Sequence, residues 1–352
     1  MTLIYRINKY QKIYWLFLLI SLSLATIASG ADSTDTVSII AGGDVMLGSW
    51  VQNVIRDNGW DYPFRNIDSI LTQGDIVFAN LEAPFGTKDS AAFEKTYTFQ
   101  VSPDLIKVLA AGKINVVGVA NNHILDFGLE DLFETMILLN KYNIQYSGAG
   151  KDLQEARQPA ILQAKGKKIV VACYSLTFPE EFWATDTTAG TCFPFDSYFY
   201  NDLRKFKSEN DLLIVSFHWG GELLQYPKPY QTQLAHNAIK VGADLVIGHH
   251  PHVVQGIELY SGKMIVYSLG NYIFGSYSES VKESMLLKFY YGTNGISACK
   301  IYPLNVYNKE VEFQPQLLTE QKKQKFLEGL NQISLELNNQ RSVVSNDGWV
   351  RF

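Results

Sequence analysis

Residues 243 to 256 read ADLVIGHHPHVVQG, a short apolar run that leads into three histidines within four positions. The run ADLVI is typical of a buried strand, because it is apolar, of strand length and followed directly by glycine. Three neighbouring imidazoles are costly to desolvate unless they find hydrogen-bond partners or a metal ion. The stretch therefore predicts a strand whose carboxyl end contributes histidines to a polar site.

Similar apolar runs recur along the chain and alternate with segments of helical pattern. The strand candidates are 36–44, 75–82, 114–123, 168–175, 211–220, 243–250 and 263–271. Helical patterns fall at 49–57, 103–112, 129–142 and 229–241. This alternation predicts an α/β fold built on buried strands. The later stretches SMLLKFYYG and ISACKIYPLNVY are typical of antiparallel strands, so we expect mixed sheets.

The body of the chain has the composition of a globular protein. Its 352 residues are 47% hydrophobic, which is ample for a large core. Because no internal repeat or low-complexity linker interrupts the pattern, we predict one catalytic-size domain over about 35–310. A helical and polar tail is predicted over 311–352.

The N-terminus has the layout of an export signal. Basic residues precede the apolar stretch IYWLFLLISLSLATIA, which ends in the small residues Ala28, Ser29 and Gly30. This layout predicts that residues 1–30 form either a secretory signal peptide or an uncleaved membrane anchor. In both cases we expect the rest of the chain to be exported, at the outer face of the cytoplasmic membrane or beyond it.

Charge and cysteine content exclude several classes of protein. A formal net charge of −5 and a pI near 5.7 argue against nucleic acid as a partner. Cys173, Cys192 and Cys299 are too few and too far apart for a disulfide scaffold, although one bridge stays open. The chain has no CxxC pair, so thiolate metal binding is not expected.

Polar residues gather where the predicted strands end. They are Asp44, then Asn80 and Glu82, then Asn121, Asn122 and His123, then His218 with Glu222, then His249, His250 and His252, and finally Asn271. Open α/β sheets place ligand sites at the carboxyl ends of their strands. Five of the six histidines belong to this set, and only His236, on a helical pattern, does not. Carboxylate, amide and imidazole ligands without sulfur predict a site for manganese, iron or zinc.

Seven ordered blocks carry a family resemblance. They are GGDVMLG (42–48), NLEAP (80–84), VANNHILDFG (119–128), SGAG (147–150), FHWGGE (217–222), GHHPHVVQG (248–256) and YSLGNYIF (267–274). Together they resemble the CapA, or PgsA-like, family of capsule and poly-γ-glutamate synthesis proteins. That family is similar in fold to the calcineurin-like metallophosphoesterases. The resemblance implies a metallophosphatase-like four-layer αββα sandwich with mixed sheets, and attachment to the outer face of the membrane.

The resemblance also implies roles for the strand-end residues. The matched metal ligands are Asp44, Glu82, Asn122, His218, His250 and His252. Glu82 takes the place of the carboxylate that bridges two divalent metal ions, and His123 matches the catalytic general acid. The residues expected to line the site are Asn80, Asn121, Glu222, His249 and Asn271.

Two departures from the phosphoesterase pattern bear on activity. Met46 stands where the motif Asp-x-His has its histidine, and NLE replaces the block Gly-Asp-x-x-Asp. The missing ligand leaves two outcomes open: one of the two metals is weakly bound, or His249 holds it. Hydrolytic activity does not follow from the fold alone.

Two hypotheses of function remain. In the first, the protein is a metal-dependent, phosphoesterase-like hydrolase that acts in assembly of an anionic envelope polymer or its precursor. In the second, it is a non-catalytic subunit that holds or passes the polymer for membrane-embedded capsule synthase components. Retention of Asn122 and His123 favours the first hypothesis, and Met46 favours the second.

Two further segments have open interpretations. Asp126 either belongs to a turn before a helix or orients His123. The aromatic stretch 176–200 either forms a loop over the site, with Trp183 and Phe193 walling a groove, or packs on its own aromatic side chains.

Overall fold

The computed structural model describes residues 35–352. The predicted signal peptide or anchor, residues 1–30, lies outside the described residues. Residues 37–352 form one compact unit. From residue 35 onward, no helix combines the length and the apolar character needed to cross a membrane.

The strands alternate with helices for most of the chain. The helices are α1 Val51–Asn58, α2 Asp68–Leu71, α3 Ile106–Ala111, α4 Leu129–Lys141, α5 Leu153–Ala156, α6 Phe199–Glu209, α7 Pro229–Lys240, α8 Asn308–Val311 and α9 Glu320–Ser334. The first strands are β1 Val37–Val45, β2 Ile76–Leu81, β3 Val116–Gly118, β4 Gln145–Ser147, β5 Ala149–Gly150, β6 Ala160–Ala164, β7 Lys167–Ser175 and β8 Gly190–Thr191. The later strands are β9 Leu212–His218, β10 Leu245–His249, β11 Ile257–Tyr260, β12 Lys263–Val266, β13 Asn271–Ile273, β14 Glu283–Gly292, β15 Gly295–Asn305, β16 Gln316–Leu317 and β17 Trp349–Arg351.

The strands form two large mixed sheets. The nine-stranded sheet runs β16-β15-β14-β1-β2-β3-β4, with β13 also paired to β1 and β17 to β15. Strands β1 to β4 are parallel, whereas β14 and β15 are antiparallel. The six-stranded sheet runs β11-β12-β10-β9-β7-β6, with parallel central strands and antiparallel edges.

Alternate residues of the central strands face opposite sides of each sheet, as the two-residue period of a strand requires. Ile39 and Ile247 lie in the core between the two sheets. Ile40 packs instead with helices α1 to α4 on one outer face, and Val246 packs with α6 and α7 on the other. The result is the four-layer αββα sandwich with mixed sheets, so the predicted fold class is confirmed.

The predicted strand at 263–271 is two strands in different sheets. Residues 263–266 form β12 of the six-stranded sheet, and Asn271 begins β13 of the nine-stranded sheet. Gly270, at a φ of +77°, takes the left-handed conformation at the crossing. The crossing carries Asn271 to the end of β1, where it pairs with Asp44.

The segment after residue 310 contributes to the same sheets and core. Strand β17 pairs with β15, and its residue Val350 is fully buried. Helix α9 places Leu327 and Leu330 in the core between the sheets. The helical tail predicted at 311–352 therefore packs as part of the unit that contains the site.

The three cysteines are buried and unpaired. Cys173 and Cys299 lie in the core between the sheets, and Cys192 lies in the core under helices α6 and α7. Burial raises the pKa of the Cys173 thiol to about 12, which keeps it protonated at neutral pH. None of these side chains is available as a metal ligand.

Candidate metal centre

The carboxyl ends of strands from both sheets meet at one edge of the sandwich. In the nine-stranded sheet, Asp44 of β1 lies beside Asn80 of β2 and Asn271 of β13. In the six-stranded sheet, His218 of β9 lies beside His249 of β10. Contacts between the two groups show that both sheets contribute to one cluster, since Asn80 Nδ2 lies 3.3 Å from His218 Nδ1.

The glycine before Asp44 permits a close backbone approach. A Cβ atom at Gly43 would lie 1.8 Å from the carbonyl oxygen of Gly270. The amide of Asp44 donates a 3.1 Å hydrogen bond to that same oxygen. Glycine is therefore needed at position 43, where β1 meets the crossing segment.

Two fully buried carboxylates form the centre of the cluster. Asn80 Nδ2 donates to Asp44 Oδ1 at 2.8 Å and to Glu82 Oε2 at 3.2 Å, so one amide bridges both acids. Burial, together with the negative charge of Asp44, raises the pKa of Glu82 well above its usual range. Burial also opposes ionisation of Asp44, but contacts with His249 and His252 hold its pKa well below the usual range.

His252 and His249 surround Asp44. His252 Nδ1 lies 3.3 Å from Asp44 Oδ2, and His252 Nε2 lies 3.5 Å from Glu82 Oε1. Asn271 Oδ1 also lies 2.9 Å from His252 Nδ1. His249 Nδ1 lies 3.2 Å from Asp44 Oδ1, although it makes no hydrogen bond with any residue from 35 to 352. Burial lowers the pKa of His252, but the two carboxylates outweigh it and raise the value to about 9.

His218, His250 and Asn122 form a second group of residues near Glu82. His218 Nε2 is 2.8 Å from Asn122 Oδ1 and 3.6 Å from Glu82 Oε1. The rings of His218 and His250 have centroids 4.7 Å apart. Burial and the neighbouring imidazoles lower the pKa of His218 well below its ordinary value, and that of His250 to about 3.

These side chains fit divalent cations. Four buried atoms of the cluster have no hydrogen-bond partner within residues 35–352: Glu82 Oε1, both ring nitrogens of His249, and His250 Nδ1. Orphaned buried polar atoms are rare, and each costs about 1–3 kcal/mol. Three sets of ligand atoms lie within 4.8 Å of one another: Glu82, His218 and His250; Asp44, Glu82 and His252; and Glu222, His250 and His252.

Glu82 belongs to two of these sets, and its role as a bridging carboxylate stays a prediction. Asn122 Oδ1 is oriented toward the first set through its contact with His218. The structure thus brings together all six predicted ligands without assigning their roles, which stay predictions. Oxygen and nitrogen donors without sulfur suit manganese, iron or zinc.

His123 lies at the same edge and is held by two further residues. Its Nδ1 is 2.7 Å from Asp126 Oδ2, and its ring centroid is 4.4 Å from that of Phe99. Lys95 Nζ donates to Asp126 Oδ1 at 2.5 Å and to the backbone oxygen of Asn122. Asp126 is therefore an orienting partner of His123 rather than only a turn residue. Burial lowers the pKa of His123, although Asp126 opposes that shift.

The remaining predicted residues have different surroundings. Asn121 is structural, because its Oδ1 accepts from the amides of His123 and Ile124 and its Nδ2 donates to the Leu81 carbonyl. Glu222 is exposed at the mouth of the cluster. Met46 packs in the core on the helix side of the nine-stranded sheet, so position 46 offers no ligand to the site.

Lys95 and Phe99 were not predicted from the sequence. Both lie in a polar segment between β2 and α3 that has no strand or helix period, so no local signal marked them. The aromatic stretch 176–200 packs on itself, since the rings of Trp183 and Phe193 have centroids 4.0 Å apart. Phe193 in turn packs on Phe195 at 4.5 Å, which favours the self-packed interpretation of this loop.

His236, the histidine outside the cluster, is satisfied by its own partners. Its Nε2 lies 2.8 Å from Glu258 Oε1, and its ring stacks on Tyr260 with centroids 3.8 Å apart. Glu258 also accepts a 2.6 Å hydrogen bond from the Tyr267 hydroxyl. His236 therefore serves as a non-site histidine for comparison.

Without metal, His250 and His252 together contribute most to stability near pH 6.5. His250 binds a proton in the unfolded chain below about pH 6.5 but in the folded chain only near pH 3, so stability is lost as pH falls through that window. The pKa of His252 is raised to about 9, so the stability that this residue contributes is complete below pH 6.5 and is lost as the pH rises to 9. Thermal unfolding of chelator-treated protein from pH 4 to 9 should show a decrease in Tm on both sides, on the order of 5 °C. A Tm that does not change with pH in this range would contradict the expectation, and His250→Gln should flatten the acidic limb.

The fold and the cluster define the class: an αββα sandwich with mixed sheets and a polar, metal-compatible centre where the strands end. Residues 38–276 match the family described as bacterial capsule synthesis protein PGA_cap. The chain belongs to that family, which confirms the resemblance inferred from the seven blocks.

Two relatives named for capsule or PGA biosynthesis agree with this assignment. The chain is 30% identical to the PGA biosynthesis protein CapA of Bacillus subtilis over 78% of this chain and 73% of that protein. It is 28% identical to the capsule biosynthesis protein CapA of Bacillus anthracis, over 75% of this chain and 66% of that protein. Among solved structures, a putative 5'-nucleotidase from Staphylococcus aureus superposes with a TM-score of 0.48 and 12% identity, over 76% of this chain and 54% of that one.

Proposed function

We propose that this protein is an exported, metal-dependent hydrolase of the cell envelope that acts on an anionic polymer, or its precursor, during capsule synthesis. The observation that carries the proposal is the orphaned Glu82 Oε1, buried among histidines at the edge where His123 is held by Asp126. Orphaned ligand atoms and an oriented acid–base group side by side are what hydrolysis of an ester or amide requires.

The metal ions would be held by Asp44, Glu82, Asn122, His218, His250 and His252, which are the predicted ligands. Bound divalent cations supply Lewis acidity, which makes a water molecule more acidic and stabilises negative charge on the group under attack. The protein excludes bulk water, since both carboxylates are fully buried and His218 is 2% exposed. Electrostatic interactions are stronger in such a water-poor site.

His123 would move the proton. Asp126 Oδ2 accepts from His123 Nδ1, so Nε2 is the nitrogen that, in the imidazolium form, would give its proton to a leaving group. Lys95 compensates the charge of Asp126, and Phe99 packs against the imidazole ring. His123 is 5% exposed, so its ring is constrained by these contacts rather than by solvent.

A cleft that reaches the two loops carrying Glu222 and His252, but is lined by none of the proposed ligands, offers room for an extended ligand. Its volume is about 620 Å³, within the range of small-molecule sites, and its lining includes Leu223 and Val253, which directly follow Glu222 and His252. The charged residues that line it are Lys282, Lys322, Lys325, Glu279, Glu283 and Glu310. Because these charges balance, attraction of an anionic chain would depend on bound metal rather than on the lining.

A second candidate function rests on Met46. Because that side chain packs in the core, β1 contributes only one ligand, and the site would then hold its metal for structure rather than for turnover. On this reading the protein is a polymer-handling subunit beside membrane-embedded synthase components. The relatives named for poly-γ-glutamate and capsule biosynthesis support the polymer in both candidates.

Metal content and turnover of the purified wild-type chain test the proposal together. We expect about two divalent ions per chain by elemental analysis, and hydrolysis of a phosphodiester, a phosphomonoester or poly-γ-glutamate that a chelator stops and added manganese restores. Metal binding and polymer binding without any turnover would favour the second candidate. A chain that binds no metal would contradict both.

A further inference from the structure

We infer that Glu222 is a metal ligand at the solvent side of the centre, where it supplies the donor that Met46, directly after β1, does not. The inference rests on the proposed metal site and extends it to a residue outside the predicted ligand set. Glu222 would bind a divalent cation through one or both oxygens of its carboxylate.

The first support is distance. Ligand atoms of Glu222, His250 and His252 lie within 4.8 Å of one another, close enough for one cation to contact all three. Glu222 is the exposed member of this set, whereas His250 is 8% exposed. Within the described chain, Glu222 makes no hydrogen bond and no ion pair within 4.0 Å, so its carboxylate is free to bind a cation.

The second support is the way its loop is held. The amide of Trp219 donates to the His249 carbonyl at 3.1 Å, and the amide of Leu223 donates to the Pro251 carbonyl at 2.9 Å. These two hydrogen bonds lie on either side of Glu222 and tie its loop to the loop that carries the histidines. The backbone of Glu222 is therefore positioned next to the histidine loop by these hydrogen bonds rather than by contacts of its own side chain.

The third support is backbone strain within these two loops. Leu223, His250 and His252 have φ values of +60°, +94° and +59°, a region that side chains other than glycine rarely adopt. Such conformations cost about 1–3 kcal/mol each and persist mainly at ligand clamps and active sites. Two of the three proposed ligands, His250 and His252, are thus strained, and so is Leu223, which directly follows the third.

Charge balance favours the same assignment. Asp44 and Glu82 bring two negative charges against the four positive charges of two divalent ions. A third carboxylate reduces this excess of positive charge. A ligand on the solvent side would leave its ion exchangeable, whereas the ion held by Glu82 would be buried.

Manganese titration of the full-length protein tests this inference with a readout independent of activity. We expect wild type to bind two Mn²⁺ per chain by calorimetry and by electron paramagnetic resonance of free Mn²⁺. Glu222→Gln should keep one ion and weaken the other by at least 10-fold, with the Tm of the metal-free protein unchanged. Glu181→Gln, which removes an exposed acid from the aromatic loop, is the matched control and should bind like wild type.

The alternatives are distinguishable. Two ions bound with wild-type affinity in Glu222→Gln would overturn the inference and leave the proposed function standing. A wild-type chain that binds one ion, unchanged in the variant, would also overturn it. A wild-type chain that binds none would overturn the inference and the proposed function together.

Discussion

Replacing His123 with alanine is expected to lower kcat on any hydrolysed substrate by about 10²- to 10⁴-fold, the usual contribution of general acid–base catalysis. Nδ1 of this imidazole is held 2.7 Å from Asp126, and its ring packs on Phe99, so the side chain is preorganised at the edge of the centre. Because His123 belongs to none of the three ligand sets, metal content should stay at the wild-type level.

Steady-state kinetics and elemental analysis on the same preparations check this prediction. His236→Gln is the matched control, since His236 lies outside the cluster and glutamine keeps a donor for Glu258. That variant should retain turnover within about 2-fold. If His123→Ala also retained turnover while holding metal, proton transfer would not depend on His123, and the assignment would be wrong.

Replacing Glu82 with glutamine is expected to have opposite effects on metal binding and on the metal-free fold. Glu82 belongs to two ligand sets, so its loss should weaken divalent metal binding by at least 100-fold, which corresponds to about 2.7 kcal/mol. Burial and the charge of Asp44 raise the pKa of Glu82. At any pH above the range in which a carboxyl ordinarily ionises, the ionised form of Glu82 therefore destabilises the metal-free protein.

The Glu82→Gln variant should therefore have the same Tm as wild type, or a higher one, when both are metal-free at pH 7. In excess manganese it should have the lower Tm, because it gains less from binding. Glu181→Gln should follow wild type in both conditions. Two ions bound with wild-type affinity in Glu82→Gln would show that Glu82 is not a shared ligand.

Much of the site was predictable because strand ends are visible in the sequence. An apolar run that stops at polar residues marks the carboxyl end of a strand, and in parallel sheets those ends share one edge. Asp44, Glu82, His218 and the histidines after β10 were found in this way. The partners of His123 were not equally visible: Asp126 had two readings, and Lys95 comes from a segment without period.

The sequence by itself determined the alternation of strands and helices, the family, and the set of polar residues that each strand presents. These follow from local periodicity and from short blocks whose side chains act within a few residues of one another. Which strands join which sheet was not encoded locally. The run 263–271 is continuous in hydrophobicity, yet it divides at Gly270 between the two sheets.

Only the tertiary structure decided how the polar residues are used. Packing of the two sheets brings Asn80 against His218, places Lys95 beside Asp126 and turns Met46 into the core. Such long-range contacts depend on the burial and register of whole elements, for which no short stretch of sequence carries a signal. The same packing buries Glu82 Oε1 with no hydrogen-bond partner among residues 35–352.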